Sequence, residues 1–295
     1  MPMNNFVNTL IPGIYAKSIA AYTEAPKLRR RVANIVTGQK SPFYMEKSTD
    51  LPIIPSKTKG AAMQEILADE GFTKQITATT YAAYLRFYEE DIEDDRYGLL
   101  MDYTKRMGVS ANETQELNFW NTCFNDGFGT TKTADTAYVF SASHKHKAGG
   151  ASFSNLASAA ALSVTTLWTA INQGRAWKDS ANKHILMTPK ALIVPVALEQ
   201  VAKETLRSTH WPLDDSNKVN VIQDFNLDLM ISKYLSSDAA WFVLFDKHEI
   251  YHWPYKPVTF ANDGDFLSRD SMYSVRFRDA NFVYSGMGVI GNAGA

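Results

Sequence analysis

The chain is poor in cysteine, in net charge and in long apolar runs, and each shortage excludes a class of protein. Cys123 is the one cysteine among 295 residues, which excludes an internal disulfide framework and cysteine-rich zinc sites and fits folding in a reducing cytoplasm. Thirty basic side chains face 31 acidic ones, so the net charge of −1 provides no overall basic field for gripping phosphates. Prolines and charged residues interrupt the most apolar stretch, residues 185–201, and no membrane span is predicted.

The composition that remains is that of a folded protein. Hydrophobic residues make up 45% of the chain and charged residues 21%, which supplies enough apolar surface for a core and excludes global disorder. The length indicates one large or two ordinary domains. Residues 1–10 lack a basic region followed by an apolar one, so no signal peptide is expected.

The first 90 residues look unlike a compact domain. Residues 1–31 show no sustained helical or strand period and end in the basic cluster Arg29, Arg30 and Arg31, which is typical of an arm. Prolines punctuate residues 42–68 and predict an exposed loop or edge strands. Residues 72–87 are rich in β-branched and aromatic side chains and predict the returning strand of a long two-stranded ribbon.

An acidic run, residues 89–95, precedes a long predicted helix. Apolar side chains then recur every three or four residues, the period of one helix face, at Leu100, Tyr103, Met107, Ala111, Thr114, Leu117, Trp120 and Phe124. The carboxylates would stabilise the positive end of this helix, whereas the alternative, a calcium site, lacks the ligand spacing of a calcium loop. A helix unbroken to Asp126 would be about 45 Å long at ~1.5 Å per residue, with Gly108 as a point of bending.

The second half alternates predicted helices and strands. Ser163 is placed to cap a helix with Leu167, Trp168 and Ile171 on its apolar face, and Pro195 opens a second helix. Short strand-like runs follow at residues 184–187, 191–194, 219–222, 227–231, 241–245, 250–253, 274–277 and 282–289.

His248 and His252 stand in a literal H-E-x-x-H string, the signature of zinc proteases. That chemistry needs both imidazoles on one face of a helix, but the surrounding aromatic and β-branched residues favour a strand. On a strand, residues four apart lie roughly 13 Å from each other, too far to share one zinc. A zinc-dependent hydrolase that uses this pair is therefore an alternative function that the sequence disfavours.

Three further motifs match by letter only. Residues 286–291 form G-x-G-x-x-G, but too few residues follow to build the helix that a dinucleotide site requires, so a glycine-rich tail is predicted. His144 and His146 have a spacing that could hold a metal, although a solvated loop is the better prediction. Cys123 is expected to be a small core residue rather than a nucleophile. We predict no catalytic residue, no cofactor and no metal.

Three stretches carry a family resemblance. Residues 87–98 (FYEEDIEDDRYG) look like the passage from an extended loop into a spine helix, residues 138–144 (YVFSASH) look like an "LFSxxH" segment, and residues 188–199 (TPKALIVPVALE) are similar to an "RPKxLIVPPxLE" segment. All three are typical of the major capsid protein of tailed bacteriophages with the Hong Kong 97-type fold, in the branch of Mu-like head subunits. The order of the parts along the chain resembles the same family.

The resemblance implies an α+β fold made of five segments. They are an N-terminal arm over residues 1–42, an extended β loop over 43–88, a peripheral domain with the spine helix over 89–129, an axial α/β domain over 130–266, and a C-terminal return to the peripheral domain over 267–295. It implies a virion subunit, assembled in the host cytoplasm, that forms hexamers and pentamers of an icosahedral shell around phage DNA. A shell-forming cargo compartment of the encapsulin kind is the main alternative.

The expected partners are other copies of the chain, a portal, a separate scaffolding protein, a decoration protein in some cases, and double-stranded DNA held non-specifically; no membrane is expected. The arm and the ribbon lack cores of their own, which predicts that they fold against neighbours. Arg29, Arg30 and Arg31 are expected to pair with the acidic run of an adjacent subunit. The predicted contact residues are Arg29, Arg30, Arg31, Lys57, Lys59, Glu89, Glu90, Asp94 and Asp95, and no covalent cross-link is expected at Lys57 or Lys59.

Overall fold

The structure is a computed structural model that describes residues 15–38, 40–88, 90–91, 97–147, 151–211, 219–264 and 270–295. The described chain divides into two compact units. Unit 1 contains the described parts of Met1–Phe43, Thr77–Phe119 and His252–Asn281. Unit 2 contains those of Tyr44–Ile76, Trp120–Tyr251 and Phe282–Ala295.

The regular elements mix helices with three sheets. The helices are α1 over residues 15–24, α2 (Arg29–Val32), α3 (Tyr97–Cys123), α4 (Val164–Arg175) and α5 (Glu199–Arg207). Short 3-10 helices cover Asn125–Phe128, Val196–Leu198 and Val221–Phe225. The strands are β1 (Asn34–Ile35), β2 (Phe43–Ser48), β3 (Glu70–Ile76), β4 (Thr79–Phe87), β5 (Pro189–Pro195), β6 (Asp228–Ser232), β7 (Trp241–Phe245), β8 (Ile250–Gly264), β9 (Ser271–Val283) and β10 (Val289–Asn292).

Unit 1 is built on a four-stranded sheet in the order β1-β8-β9-β4. Strand β4 pairs antiparallel with β9 over nine residues, from Thr79 opposite Asp279 to Phe87 opposite Ser271. The core forms where apolar residues of α3 meet apolar residues of this sheet, namely Leu100, Met101, Met107, Ala111, Phe87, Phe260, Tyr273, Val275 and Phe277. The predicted long helix is confirmed, and at 27 residues it spans about 40 Å.

The buried face of α3 differs from the predicted one. Tyr103 and Leu117 are exposed by 41% and 47%, whereas four polar residues are buried instead: Thr104, Asn112, Gln115 and Glu116. Residues before α3 in the chain cover this polar stretch, since the Ser18 hydroxyl donates a 2.9 Å hydrogen bond to the carbonyl of Thr104. A Cβ on Gly108 would lie 2.3 Å from the Ser18 carbonyl oxygen, so this glycine permits close helix packing; helix α3 runs through it without interruption.

Unit 2 contains a second four-stranded sheet, in the order β10-β7-β5-β6. Strands β5 and β6 run parallel, and β7 pairs antiparallel with both β5 and β10. The strand β7 is buried along its whole length, and the apolar side of α4 packs with it in one core through Leu167, Ala170 and Ile171. Ser163 caps α4 in a capping box with Thr166, as predicted, while Trp168 is only half-buried.

The Gly174→Ala variant will lose stability because α4 sits tightly against β7. An added Cβ would lie 2.2 Å from the Cζ atom of Phe245, whose ring is fully buried and has no space to move into. We expect the free energy of unfolding to fall by about 1–3 kcal/mol, as for other overpacked cores. Chemical denaturation measures it, with Gly129→Ala as the control, because a Cβ there meets nothing within 4 Å. Equal stability of the two variants would contradict the packing.

Several predicted strands are confirmed and others are wrong. Strands β5, β6, β7 and β8 cover the predicted runs, whereas residues 219–222 enter a 3-10 helix and residues 184–187 form only an isolated bridge at His184. Residues 72–87 are two strands, because β3 pairs with β2 while β4 pairs with β9. The predicted glycine-rich tail is wrong too, since Val289–Asn292 form the buried strand β10.

Candidate assembly surfaces

Residues 49–69 form a long exposed segment between β2 and β3, called here the loop segment. It contains no helix or strand, and its large apolar side chains are uncovered: Ile53 is 76% exposed, Ile54 81%, Met63 86% and Leu67 70%. Several large apolar side chains exposed in one segment indicate a candidate interaction site. Lys57 and Lys59, two predicted contact residues, lie in this segment and are exposed.

The base of the loop segment is held firmly. The amide of Thr49 donates a 2.8 Å hydrogen bond to the carbonyl of Asp69, which joins the two ends of the segment. Lys47 on β2 forms an ion pair with Glu249, and this neighbour raises the pKa of Lys47 despite the opposing effect of burial. The segment therefore projects from a fixed base.

Lys74 on β3 adds a half-buried cation to this base. Its ammonium donates hydrogen bonds of 2.6 Å to the carbonyl of Lys132 and 2.8 Å to that of Val283. Burial lowers the pKa of Lys74 to about 8, while Cys123 and Asp135 act in the opposite direction. Since Lys74 points inward, it is not available to a neighbouring subunit.

The prediction that Arg29 pairs with an adjacent subunit is wrong, because this arginine pairs within its own chain. It is 1% exposed, and its guanidinium donates a 2.7 Å bond to Glu116, which is fully buried. Further bonds of 3.0 and 2.6 Å reach Asn112 and Gln115, and the backbone amide of Arg29 also donates to Glu116. Both terminal guanidinium nitrogens thus have acceptors, whereas the buried Nε of Arg29 has no hydrogen-bond partner. Sequence reasoning missed Glu116, although a carboxylate beside the apolar face of α3 was a signal for it.

Asp279 lies on β9 within reach of this network. The side chain is 2% exposed and its Oδ2 atom has no hydrogen-bond partner. Burial raises the pKa of Asp279 to about 6, although Arg29 and a hydrogen bond from Gln115 oppose the rise. The folded chain consequently binds a proton at Asp279 more tightly than the unfolded chain does.

Asp279 by itself should make the chain more stable as the pH falls from 7 to 5, whereas His248 and His252, whose pKa values burial lowers to about 4, act in the opposite direction. A carboxyl whose pKa is raised on folding carries an unfavourable buried charge above that pKa, and protonation removes the cost. The shift of Asp279 from 3.8 to about 6 corresponds to roughly 3 kcal/mol, of which about 1.3 kcal/mol falls between pH 7 and 5. Denaturation of the chain and of its Asp279→Asn variant at pH 7 and at pH 5 isolates this contribution, because the histidines act equally in both proteins. The stability difference between the two proteins should change by about 1.3 kcal/mol across this range, and a constant difference would contradict the assignment.

The other predicted contact residues differ in their positions. Arg30 and Arg31 are exposed, as is Glu90, and Asp91 is half-buried. Glu89, Asp94 and Asp95 lie outside the described residues. Arg30 and Arg31 therefore lie at the surface, whereas Arg29 is buried in the fold.

The H-E-x-x-H string is not helical, and the predicted strand is confirmed for His252 but not for His248, which lies between a turn and β8. His248 precedes β8, and His252 lies on β8, where its Nδ1 shares a 2.7 Å hydrogen bond with Asn281. Burial lowers the pKa of each histidine to about 4. Both are therefore neutral, buried side chains, and they do not share the face of a helix.

The prediction that His144 lies in a solvated loop is also wrong, because the side chain is buried, with 1% of its surface exposed. Its Nδ1 lies 2.9 Å from Asp135 and its Nε2 3.0 Å from Asn155. Hydrogen bonds from His144 and Thr133 hold the pKa of Asp135 at about 2, against the effect of burial. Cys123 is fully buried, as predicted, and burial raises the pKa of its thiol.

The described part of the chain offers no group of three or more histidine, cysteine or acidic side chains able to hold a metal ion. Within the same residues, every helix is too short or too polar to cross a membrane.

The fold matches solved capsid structures over almost the whole chain. The capsid of a native GTA particle matches with a TM-score of 0.61 and 11% identity, covering 91% of this chain and 90% of that chain. A chain of Mycobacterium phage Adephagia matches with a TM-score of 0.57 and 13% identity, covering 92% and 91%. The virus-like particle from Pyrococcus furiosus gives a TM-score of 0.53 and 10% identity, covering 95% and 98%. At these identities the likeness shows the fold alone.

The family of the chain is identified from its sequence. No curated protein is significantly similar to the chain. Residues 70–289 match the family described as phage capsid protein, and this range covers most of the chain. The cargo-shell and zinc-hydrolase alternatives are consequently not favoured. The chain belongs to the phage capsid protein family: it is a major capsid protein, structural and not enzymatic, with the Hong Kong 97-type α+β fold.

Proposed function

We propose that this capsid protein is the subunit that builds the whole head shell, assembling into hexamers and pentamers of an icosahedron that encloses phage DNA. The observation that carries the proposal is the loop segment, whose apolar side chains are uncovered in the single chain. Covering exposed apolar side chains with another molecule is favourable, because it removes their contact with water. In a closed homo-oligomer that molecule is a neighbouring copy.

The five segments divide the work of assembly. The loop segment, which lies within the extended loop over residues 43–88, and exposed side chains of the arm over residues 1–42, such as Arg30 and Arg31, contact neighbouring subunits. The peripheral part, residues 89–129 with the return over 267–295, and the axial part, residues 130–266, form the wall. A net charge of −1 suits an inner wall that faces packaged DNA without binding it tightly. The further partners are a portal, a separate scaffolding protein and, in some shells, a decoration protein, with assembly in the host cytoplasm.

Arg30 and Arg31 are the cations that we assign to contacts between subunits, opposite the acidic run that includes Glu90, Asp94 and Asp95. Both arginines are exposed, and burial and the neighbouring positive charges lower the pKa of Lys27 beside them, so this basic surface favours an acidic partner. The double variant Arg30→Glu, Arg31→Glu should fold normally and yield at least tenfold fewer particles. Particles at the normal yield would contradict this contact.

Lys57 and Lys59, which lie in the loop segment, are assigned to non-covalent contacts with neighbouring subunits. Assembled particles should therefore run as a single band on denaturing gels, and a ladder of covalent oligomers would contradict the assignment.

Electron microscopy of the purified chain, expressed alone and with a scaffolding protein, tests the proposed function. Uniform hollow particles are expected, and particles taken from infected cells should contain double-stranded DNA. Particles that package protein cargo and no nucleic acid would instead identify a cargo compartment. A chain that stays monomeric under every condition would overturn the proposal.

A further inference from the structure

The side-chain amide of Asn155 is fully buried in unit 2 and has one orientation that satisfies its neighbours. Its Nδ2 group donates hydrogen bonds to the carbonyls of Val139 at 2.7 Å and of Gly286 at 2.9 Å. Its Oδ1 atom accepts a 2.8 Å hydrogen bond from the amide of Ser141. Turning the amide over would set the oxygen against two carbonyls and the NH2 group against an N–H donor. Three backbone groups therefore fix Oδ1, an acceptor, on the side that faces His144.

The Nε2 atom of His144 lies 3.0 Å from this oxygen. Two acceptors cannot bond to each other, so Nε2 must carry a proton and donate it to Asn155. The contact is too short for a water molecule to lie between the two atoms. The chain also closes tightly around them, since a Cβ on Gly286 would lie 2.4 Å from Nε2.

The other ring nitrogen of His144 faces an ionised carboxylate. Its Nδ1 lies 2.9 Å from Oδ2 of Asp135, and the amide of Lys145 donates to the same oxygen at 3.1 Å. The Thr133 hydroxyl and the Ala137 amide donate to the second oxygen, Oδ1. Burial would raise the pKa of Asp135, but the hydrogen bonds from His144 and Thr133 hold it at about 2. Because Asp135 keeps no proton to donate, Nδ1 must be a donor as well.

An imidazole that donates from both nitrogens is a positively charged imidazolium. The side chains of His144 and Asp135 are 1% and 8% exposed, so solvent and salt screen this ion pair only weakly. The ring of Phe153 stacks on His144, with the centroids 5.1 Å apart and the planes at 20°. The face of an aromatic ring attracts a positive charge, so this contact also favours the charged form.

The other titratable side chains near the pair do not replace either partner. Those that line one cleft of about 150 Å³ with Asp135 are Lys47, Asp50, Lys145, His146, Lys147, Asp179, Glu249 and Tyr284. Burial lowers the pKa of Lys74 and of His146, and the charge of Asp135 opposes both shifts. Among the described residues, Asp135 is the one charged side chain that bonds to the His144 ring.

We propose that His144 is an imidazolium at neutral pH and acts as a clamp that joins residues 133–145, residues 153–155 and Gly286 until alkali removes its proton. Loss of the proton leaves a lone pair facing either Asp135 or Asn155, so a repulsive contact replaces a charge-assisted hydrogen bond. The folded chain holds this proton more tightly than the unfolded chain does, so the clamp is closed at neutral pH and opens as the pH rises. The clamp acts within one chain and does not depend on shell assembly.

Nitrogen-15 NMR of the unassembled chain, labelled at histidine, tests the charge directly. The ring N–H groups are assigned through the amide protons of Ser141 and Lys145, each of which shares an acceptor with one of them. At pH 7.5 both ring nitrogens of His144 should show the shifts of protonated nitrogens. One protonated and one unprotonated nitrogen would overturn the proposal, and this measurement requires no variant to fold.

The variant Asp135→Asn removes the anion and keeps the shape of the side chain. His144 should then carry a single ring proton at pH 7.5, a change that a merely structural role of Asp135 would not produce. Asp179→Asn is the matched control, because this carboxylate of the same unit acts on His146. It should leave the His144 signals unchanged. Two ring protons on His144 in the Asp135 variant would show that the ion pair does not set its charge.

Hydrogen exchange of the unassembled chain measures the opening of the clamp. After correction for intrinsic rates, the protection of residues 141–145 should fall at least tenfold between pH 7.5 and 10, while the buried strand β7 changes less than twofold. Lys74, with a pKa of about 8, loses its charge in the same range, so Lys74→Gln is measured in parallel and should keep the tenfold fall. Constant protection in the wild-type chain, or loss of the effect in this variant, overturns the clamp.

Discussion

The variant Arg29→Met will lose about 3–5 kcal/mol of folding free energy, the usual cost of removing one partner from a buried ion pair. Glu116 is fully buried, and without the guanidinium its carboxylate would lose its charged partner while keeping the neutral donor that the Arg29 backbone supplies. Asp279 would also lose a positive neighbour that currently opposes the rise of its pKa. Chemical denaturation of the unassembled chain measures the loss.

Arg30→Met is the matched control for this prediction. Arg30 is adjacent in sequence and carries the same charge, but it is exposed, so its replacement should change stability by no more than about 0.5 kcal/mol. A double variant, Arg29→Met with Glu116→Leu, should recover much of the loss, since an apolar pair of similar size avoids the buried charge. If Arg29→Met and Arg30→Met prove equally stable, the network does not hold the arm.

The second large effect is expected on assembly. The double variant Ile53→Asp, Ile54→Asp will form no particles, because it places two charges where a neighbouring copy is expected to cover apolar side chains. The single chain will fold with unchanged stability, since both isoleucines are more than three quarters exposed. Sedimentation velocity and electron microscopy measure the loss of particles, and denaturation measures stability.

The control adds the same two charges in the same segment at polar positions, as Ser56→Asp and Thr58→Asp. Those side chains are exposed and are not part of the apolar surface, so particle yield should fall much less than in the isoleucine variant. Particles at the normal yield from the isoleucine variant would show that this part of the segment stays uncovered in the shell.

Features that depend on local interactions could be predicted from the sequence. The capping box at Ser163 and Thr166 involves residues three apart, and the extended chain around His252 follows from its aromatic and β-branched neighbours. The long helix followed from its period. Residues 138–144 and 188–199 suggested the family, although they carry no chemistry of their own.

Features that depend on partners distant in the sequence could not be predicted. Arg29 looked like an exposed contact residue because its partner, Glu116, is 87 positions away on a helix whose period predicted a different face. The same distance hid the division of residues 72–87, where β4 pairs with β9, nearly 200 residues later. His144 was predicted to be solvated because Asn155 and Gly286, which enclose it, come together only in the fold.

The sequence by itself determined that the chain is near-neutral, almost free of cysteine, helical at its centre and extended before it, because composition and short-range periodicity decide these properties. Only the tertiary structure decided which charges belong inside. Burial is set by which distant segments meet, so the fold pairs Arg29 within the chain, keeps Arg30 and Arg31 exposed, and leaves the apolar side chains of the loop segment uncovered.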